Sequence, residues 1–114
     1  MIIPYIKGLC NAFSLQMLSD LSVSIKIQPI ENRYDFNLSD IPSFIGHQDT
    51  ANVLGVAMNR ANISLDKGDS IIVAQLMGGR LPEGSVTLPD GFYFKYILVT
   101  VLHHQPYGDD CRNN

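Results

Sequence analysis

The chain has 114 residues, 46% hydrophobic and 17% charged, with eight Lys and Arg against eleven Asp and Glu for a net charge of −3. That length suits one domain with its own core, and the composition excludes an intrinsically disordered tail. The acidic balance excludes a DNA-coating protein, which needs a basic face, so an anionic ligand has to be met at a local site built from a few cations.

The two cysteines, Cys10 and Cys111, stand at opposite ends and form no CxxC. They are too few for a four-cysteine metal site. With no secretion signal, reduced thiols and a cytoplasmic location are expected, a Cys10–Cys111 bridge being the minor alternative. No apolar run reaches the roughly 20 residues that span a bilayer, so no membrane partner is expected.

In chain order, Ile2 to Leu9 is an apolar stretch that predicts a first strand, with Pro4 near its start. Asn11-Ala12-Phe13-Ser14 breaks the pattern, and Ser14 is placed to cap a short helix through Leu15, Met17 and Leu18. Ser22 to Gln28 alternates, with Val23, Ile25 and Ile27 on one face, which predicts a half-buried strand that Pro29 helps to end. Residues 31–46 are mixed and polar, with a short turn at Asn37 to Ile41 before Pro42.

From Gln48 the period becomes helical through Ala51, Leu54, Ala57 and Met58, with Asp49 in the first turn and Asn59 as the stop. Ala61 to Leu65 alternates as a short strand, and Asp66-Lys67-Gly68-Asp69 is a hairpin-type turn. Ile71 to Met77 is apolar apart from Gln75, as in a central strand covered on both faces. A loop over Gly78 to Gly84 and a turn at Pro89-Asp90-Gly91 lead to a last strand, Phe92 to Leu102. These elements predict an α+β fold: a mixed sheet of about five strands with helices packed against it. It forms a single domain over residues 1–104, followed by a polar tail over 105–114.

His103 and His104 are adjacent at a strand end, so they point to opposite faces and cannot share a site in one chain. His47 differs, because it follows Gly46 and opens the main helix, where free backbone N–H groups attract an anion. Arg80 and Glu83 share a glycine-flanked loop, and a surface ion pair is the plain reading of both. The plain reading of Gln75 is a core amide with its hydrogen bonds made. The chain has no Walker A loop, GxGxxG, GxSxG, HExxH or kinase motif set, and no metal-ligand cluster. No metal or cofactor is therefore expected. An enzyme that works by positioning, a cation and a histidine is what remains.

The ordered set Asn11-Ala12-Phe13-Ser14-Leu15-Gln16-Met17-Leu18, Ile45-Gly46-His47-Gln48-Asp49-Thr50-Ala51, Asn59-Arg60, Gly68-Asp69 and Gln75 with Arg80-Leu81-Pro82-Glu83-Gly84 is distinctive. It resembles a family of small proteins first met in archaeal viruses and also found in phages and bacteria, whose members are ring nucleases and type III CRISPR antagonists. The resemblance runs from about Leu9 to Val101. It implies a homodimer that binds cyclic tetra-adenylate across its two-fold axis and cuts it, without metal, into linear di-adenylates ending in 2′,3′-cyclic phosphates. The family's catalytic histidine falls on His47, within Gly46-His47-x-x-Thr50, and its loop arginine and glutamate fall on Arg80 and Glu83. A second phosphate-contacting arginine falls on Arg60. Asn11 and Ser14 come near the ligand, and Thr50 and Gln75 match further polar positions.

The chemistry suits that assignment. A ribose 2′-hydroxyl held in line attacks its own phosphate, so the protein must orient the backbone, offset the growing charge and protonate the departing 5′ oxygen. His47 suits the last role. A helix N-terminus disfavours the imidazolium, while a bound phosphate and Glu83 favour it, so His47 is expected to become a good acid only in the liganded dimer. Arg80 is the fork for a phosphate, and Glu83 orients His47 or Arg80. Relative to the archaeal viral pattern, the segment before Asn59-Arg60 is shorter. Only Ser85 to Asp90 stands where those proteins carry a helical lid, so a more open site is expected. The alternative from another class is a non-catalytic protein that sequesters a cyclic or linear nucleotide. A structural or DNA-associated role fits the acidic balance poorly.

Overall fold

The computed structural model describes residues 5–103. His104, Cys111, Pro4 and the tail over 105–114 lie outside the described residues. The elements are β1 (Gly8–Cys10), β2 (Val23–Ile30), α1 (Gln48–Leu54), β3 (Ser70–Met77) and β4 (Tyr93–His103), with single 3-10 turns at Leu15–Met17, Arg33–Asp35 and Leu38–Asp40. The strands make one mixed sheet in the order β1-β3-β4-β2. β1 runs parallel to β3, and the other two pairings are antiparallel.

The apolar run of β3 buries every residue from Ser70 to Ala74, as a strand between two neighbours and two covering layers requires. Alternation sends its side chains into two cores. Ile72 and Ala74 join Leu9, Ile30, Leu38, Ile45, Ala51 and Leu98 on one face, under α1 and the segment of the second and third 3-10 turns. Ile71 and Val73 join Cys10, Ile63, Leu65, Val99 and Val101 on the other, under the segments around Phe13–Leu18 and Ile63–Leu65. The α+β expectation stands, with four strands where about five are expected.

The missing strand is Ala61–Leu65. Its apolar residues do go inward, but among the described residues its only ladder-type contact is the isolated bridge of Leu65 to Leu18, and the Ala61 N–H is taken by the Asn59 side chain. Burial and pairing are separate requirements, and only the first is met. β1 is also shorter than expected: Ile6 is buried and the Lys7 N–H reaches the Ser70 carbonyl, yet the ladder starts at Gly8. β2 runs through Pro29 to Ile30, which its place at the sheet edge permits. Its expected inner face holds at Val23 and Ile25 but not at Ile27, which is 64% exposed where none of the described segments covers the sheet.

Helix α1 stops at Leu54, not at Asn59. Gly55 takes the left-handed conformation at φ 75° and its N–H bonds back into the last turn, so Ala57 and Met58 fall outside the helix. The capping expected of Ser14 is present, its hydroxyl accepting from the Gln16 N–H, although the helix it caps is one 3-10 turn.

Candidate functional site

Three chain segments are drawn together at the end of β1. Leu9 donates to the Pro42 carbonyl and accepts from the Phe44 N–H, each at 2.8 Å, which lays residues 42–44 along the outer side of β1. Ile45 bridges Met58, the Asn59 N–H donates to the Ile45 carbonyl at 2.9 Å, and the Asn59 side-chain amide donates to the Ser43 carbonyl at 2.9 Å. Gly46, His47, Asn59 and Arg60 are thereby set beside Asn11, the residue that follows β1.

The third segment is the connection from β3 to β4. Met77 pairs with Tyr93, so both ends of the connection are fixed. Gly78 sits at φ 107°, and a Cβ there would lie 3.0 Å from the Gly91 carbonyl oxygen and the Phe92 Cα. Only glycine allows that close return of the backbone. The expected turn closes through the Phe92 N–H on the Pro89 carbonyl, and the Gly84 N–H donates to Asp49 Oδ1 at 3.2 Å. This last bond fastens the loop to the first turn of α1, which brings Arg80 towards His47.

The result is two adjoining hollows that share Asn11. The smaller, about 190 Å³, is lined by Asn11, His47, Thr50, Ala74, Leu76, Arg80 and Leu81. His47 is the N-cap of α1, in extended conformation, and its side chain makes no capping bond, so the imidazole is exposed and unclaimed. Thr50, one turn along the same helix face, is 9% exposed. The larger hollow, about 430 Å³, holds Asn11, Ser14, Gly46 and Arg60, together with Gln16, Asn59 and Asn62 over a floor of Cys10, Met17, Phe44 and Ile63. Arg60 Nε donates to the Gly46 carbonyl at 3.3 Å, leaving the guanidinium tip free to meet a ligand. Burial pushes the Cys10 thiol up to about 11, so the floor carries no charge.

Neither hollow contains a carboxylate, while each contains one arginine. In a chain of net charge −3, that is a local reversal of sign. Among the described residues no group of three or more His, Cys, Asp and Glu stands together, and no helix is long and apolar enough to cross a membrane.

Two expected site residues stand apart. Gln75 is exposed rather than a core amide. It lies on the other face of β3 from Ala74, across from Lys95, and lines a hollow with Ile27, Val73, Ile97 and Val99 that meets the first two only at Asn11. Glu83 is exposed, lines none of these hollows and makes no ion pair with Arg80. His103 is the exposed last residue of β4, remote from His47 in the fold. The residues not anticipated are Gln16, Asn62 and Phe44. Their signal in the sequence is only an abundance of amides around two short segments, which gains meaning once the fold sets those segments side by side.

No curated protein matches the chain. Among solved structures it is similar to B116 of Sulfolobus turreted icosahedral virus (STIV), with a TM-score of 0.64 and 24% identity, covering 84% of this chain and 99% of that one. That likeness establishes the shared fold. A family model described as STIV B116-like matches residues 7–91, a span that contains Asn11, His47, Arg60 and Arg80, and the chain therefore belongs to the STIV B116-like family.

Proposed function

We propose that the protein is a metal-independent ring nuclease that cleaves cyclic tetra-adenylate into linear di-adenylates with 2′,3′-cyclic phosphate ends and so silences type III CRISPR signalling. The observation that carries this reading is the unclaimed imidazole of His47 sharing one acid-free hollow with the Arg80 guanidinium, Thr50 and Asn11. A ligand rich in phosphates is the natural guest of such a place.

In the reaction a ribose 2′-oxygen bonds to its neighbouring phosphorus and the bond from phosphorus to the 5′ oxygen breaks. The 2′-hydroxyl loses its proton to solvent, and His47, as imidazolium, gives one to the departing 5′ oxygen. Arg80 spans the non-bridging oxygens as their charge grows. Asn11 and Thr50 hold the ribose and phosphate in line, which is where most of the acceleration arises. Arg60, across Asn11, takes the next phosphate along the strand. Glu83 stands outside this set and acts on the loop that bears Arg80.

At about 190 Å³ the His47 hollow is smaller than the roughly 300–1,000 Å³ of a small-molecule pocket. It suits one phosphate and its ribose, so two copies facing each other across a two-fold axis complete the site in a homodimer. Purified protein incubated with cyclic tetra-adenylate in excess chelator should yield the cyclic-phosphate di-adenylates. His47→Ala should slow cleavage about 10²–10⁴-fold with binding retained, and Arg80→Ala about 10²–10³-fold. Undiminished cleavage by His47→Ala removes the mechanism. Tight binding with no cleavage by the parent protein favours the sequestering alternative, which uses the same positioning residues.

A further inference from the structure

We propose that Asp49 is a positioning residue for Arg80: its carboxylate latches the connection between β3 and β4 to the helix that His47 caps, and so keeps the guanidinium at the His47 hollow. The inference rests on the proposed cleavage for its kinetic consequence, but the latch itself is read from the geometry. Arg80 is exposed and makes no hydrogen bond or ion pair with any described residue. Where the guanidinium points is therefore set by the path of the chain that carries it. Among the described residues, that chain, over 78–92, makes one hydrogen bond to the rest of the fold: the Gly84 N–H donates to Asp49 Oδ1 at 3.2 Å.

The loop is built to pass that anchor back to Arg80. The Ser85 N–H donates to the Pro82 carbonyl at 3.2 Å, and the Ser85 hydroxyl donates to the same oxygen at 2.6 Å. With Gly84 at φ 80° this closes a type II turn over 82–85, in which the Gly84 N–H has no partner inside the turn and is open to Asp49. Just ahead of the turn, Leu81 lines the His47 hollow with Ala74 and Leu76. Arg80 is thus suspended between the root at Gly78 and a doubly bonded turn pinned at Gly84. At the other end of the latch, Asp49 stands in the first turn of α1, two residues from His47. One bond joins the segments that supply the imidazole and the guanidinium. Asp49 lines neither hollow, so it acts through the loop and not on the ligand. The plain alternative for an acid in a first turn is a favourable interaction with the positive end of the helix, which needs the charge. The latch needs only an acceptor oxygen, which asparagine also offers.

The test compares Asp49→Ala and Asp49→Asn in the full chain, with cyclic tetra-adenylate as substrate. Asp49→Ala should lower kcat by about 10- to 100-fold with KM little changed, because Arg80 acts on charge that grows only in the transition state. Asp49→Asn should recover most of the parent rate. In an Arg80→Ala background, Asp49→Ala should cost nothing further, since its effect passes through the side chain already removed. Amide hydrogen exchange supplies a readout that does not depend on cleavage: the Gly84 N–H should exchange more slowly in the parent and in Asp49→Asn than in Asp49→Ala. A parent-like kcat in Asp49→Ala, equal losses in the two variants, additive losses with Arg80→Ala, or equal Gly84 exchange in the parent and Asp49→Ala each overturn the latch. A parent protein that never cleaves the ring removes the nuclease instead, and Gly84 exchange alone then decides the latch.

Discussion

Cys10 shows how one position can border a candidate site without taking part in it. The residue ends β1, is 2% exposed, and its thiol is pushed up to about 11 because burial disfavours the thiolate. The thiolate is the reactive form, so the native protein should resist alkylation at pH 8 while the urea-unfolded chain reacts at the rate of an ordinary thiol. Timing the labelling of Cys10 by mass spectrometry checks this, and fast labelling in the folded state contradicts the buried floor. At His47 the sequence was informative for a simple reason. The spacing to Thr50 is one helical turn, so both residues had to share a face once α1 formed. Gln75 and Glu83 were not legible in the same way. Whether a polar residue in an apolar strand is a core amide or a solvent-facing one depends on which layer covers that face, and here the covering segments stop short of Gln75. Whether Glu83 faces Arg80 depends on the fold of a loop that is held in part by residues distant in the chain, Phe92 beside Gly78 and Asp49 beside Gly84.

Among the elements, the connection from β3 to β4 carries the sharpest requirement. Gly78 combines φ 107° with a 3.0 Å approach to the Gly91 oxygen and Phe92 Cα. Gly78→Ala should therefore cost about 1–3 kcal/mol from backbone strain alone, with the added contact making it worse. Gly55→Ala, at φ 75° with no atom within 4 Å of the new Cβ, should cost only about 1–2 kcal/mol. Urea midpoints of the two variants measure the difference, and equal losses would mean the loop root yields. Arg80 follows Gly78 by two residues, so Gly78→Ala should also weaken binding of the proposed cyclic tetra-adenylate, which Gly55→Ala should not. The elements themselves were largely visible in the pattern. Strict alternation placed β2, the apolar run placed β3, and the β-branched and aromatic run placed β4. Ala61–Leu65 alternates just as well, yet it packs without pairing. Alternation reports which side chains are buried, and a ladder needs a neighbouring backbone that only the assembled fold supplies.

In the whole molecule, Lys7, just ahead of β1, is joined to the turn that precedes β3. Its ammonium donates to Asp69 Oδ2 at 3.0 Å and also to the Ser64 carbonyl. Burial raises the Asp69 carboxyl, but the Asp66 N–H, the Lys7 hydrogen bond and the Lys7 charge outweigh it and leave the group below its usual 3.8. The sign follows from the depressed value: the folded state favours the carboxylate, so its contribution is present above the unfolded value and is lost as pH falls through the folded one. Asp69→Asn should lower the melting temperature at pH 7 and narrow the gap to the parent as pH drops below about 4. An undiminished gap in acid would place the effect elsewhere.

The anchoring of the β3–β4 connection at Met77 and Tyr93 also bears on how this lineage can change. Arg80 lies three positions past the pinned end, and the bond from Gly84 to Asp49 fixes the next few. Between Gly84 and Pro89 the path is unconstrained by either tether, and doubling a loop's length costs only about 0.6 kcal/mol in closure entropy. Residues added or removed there can thus lengthen or shorten the chain beside the hollow while Arg80 keeps its place.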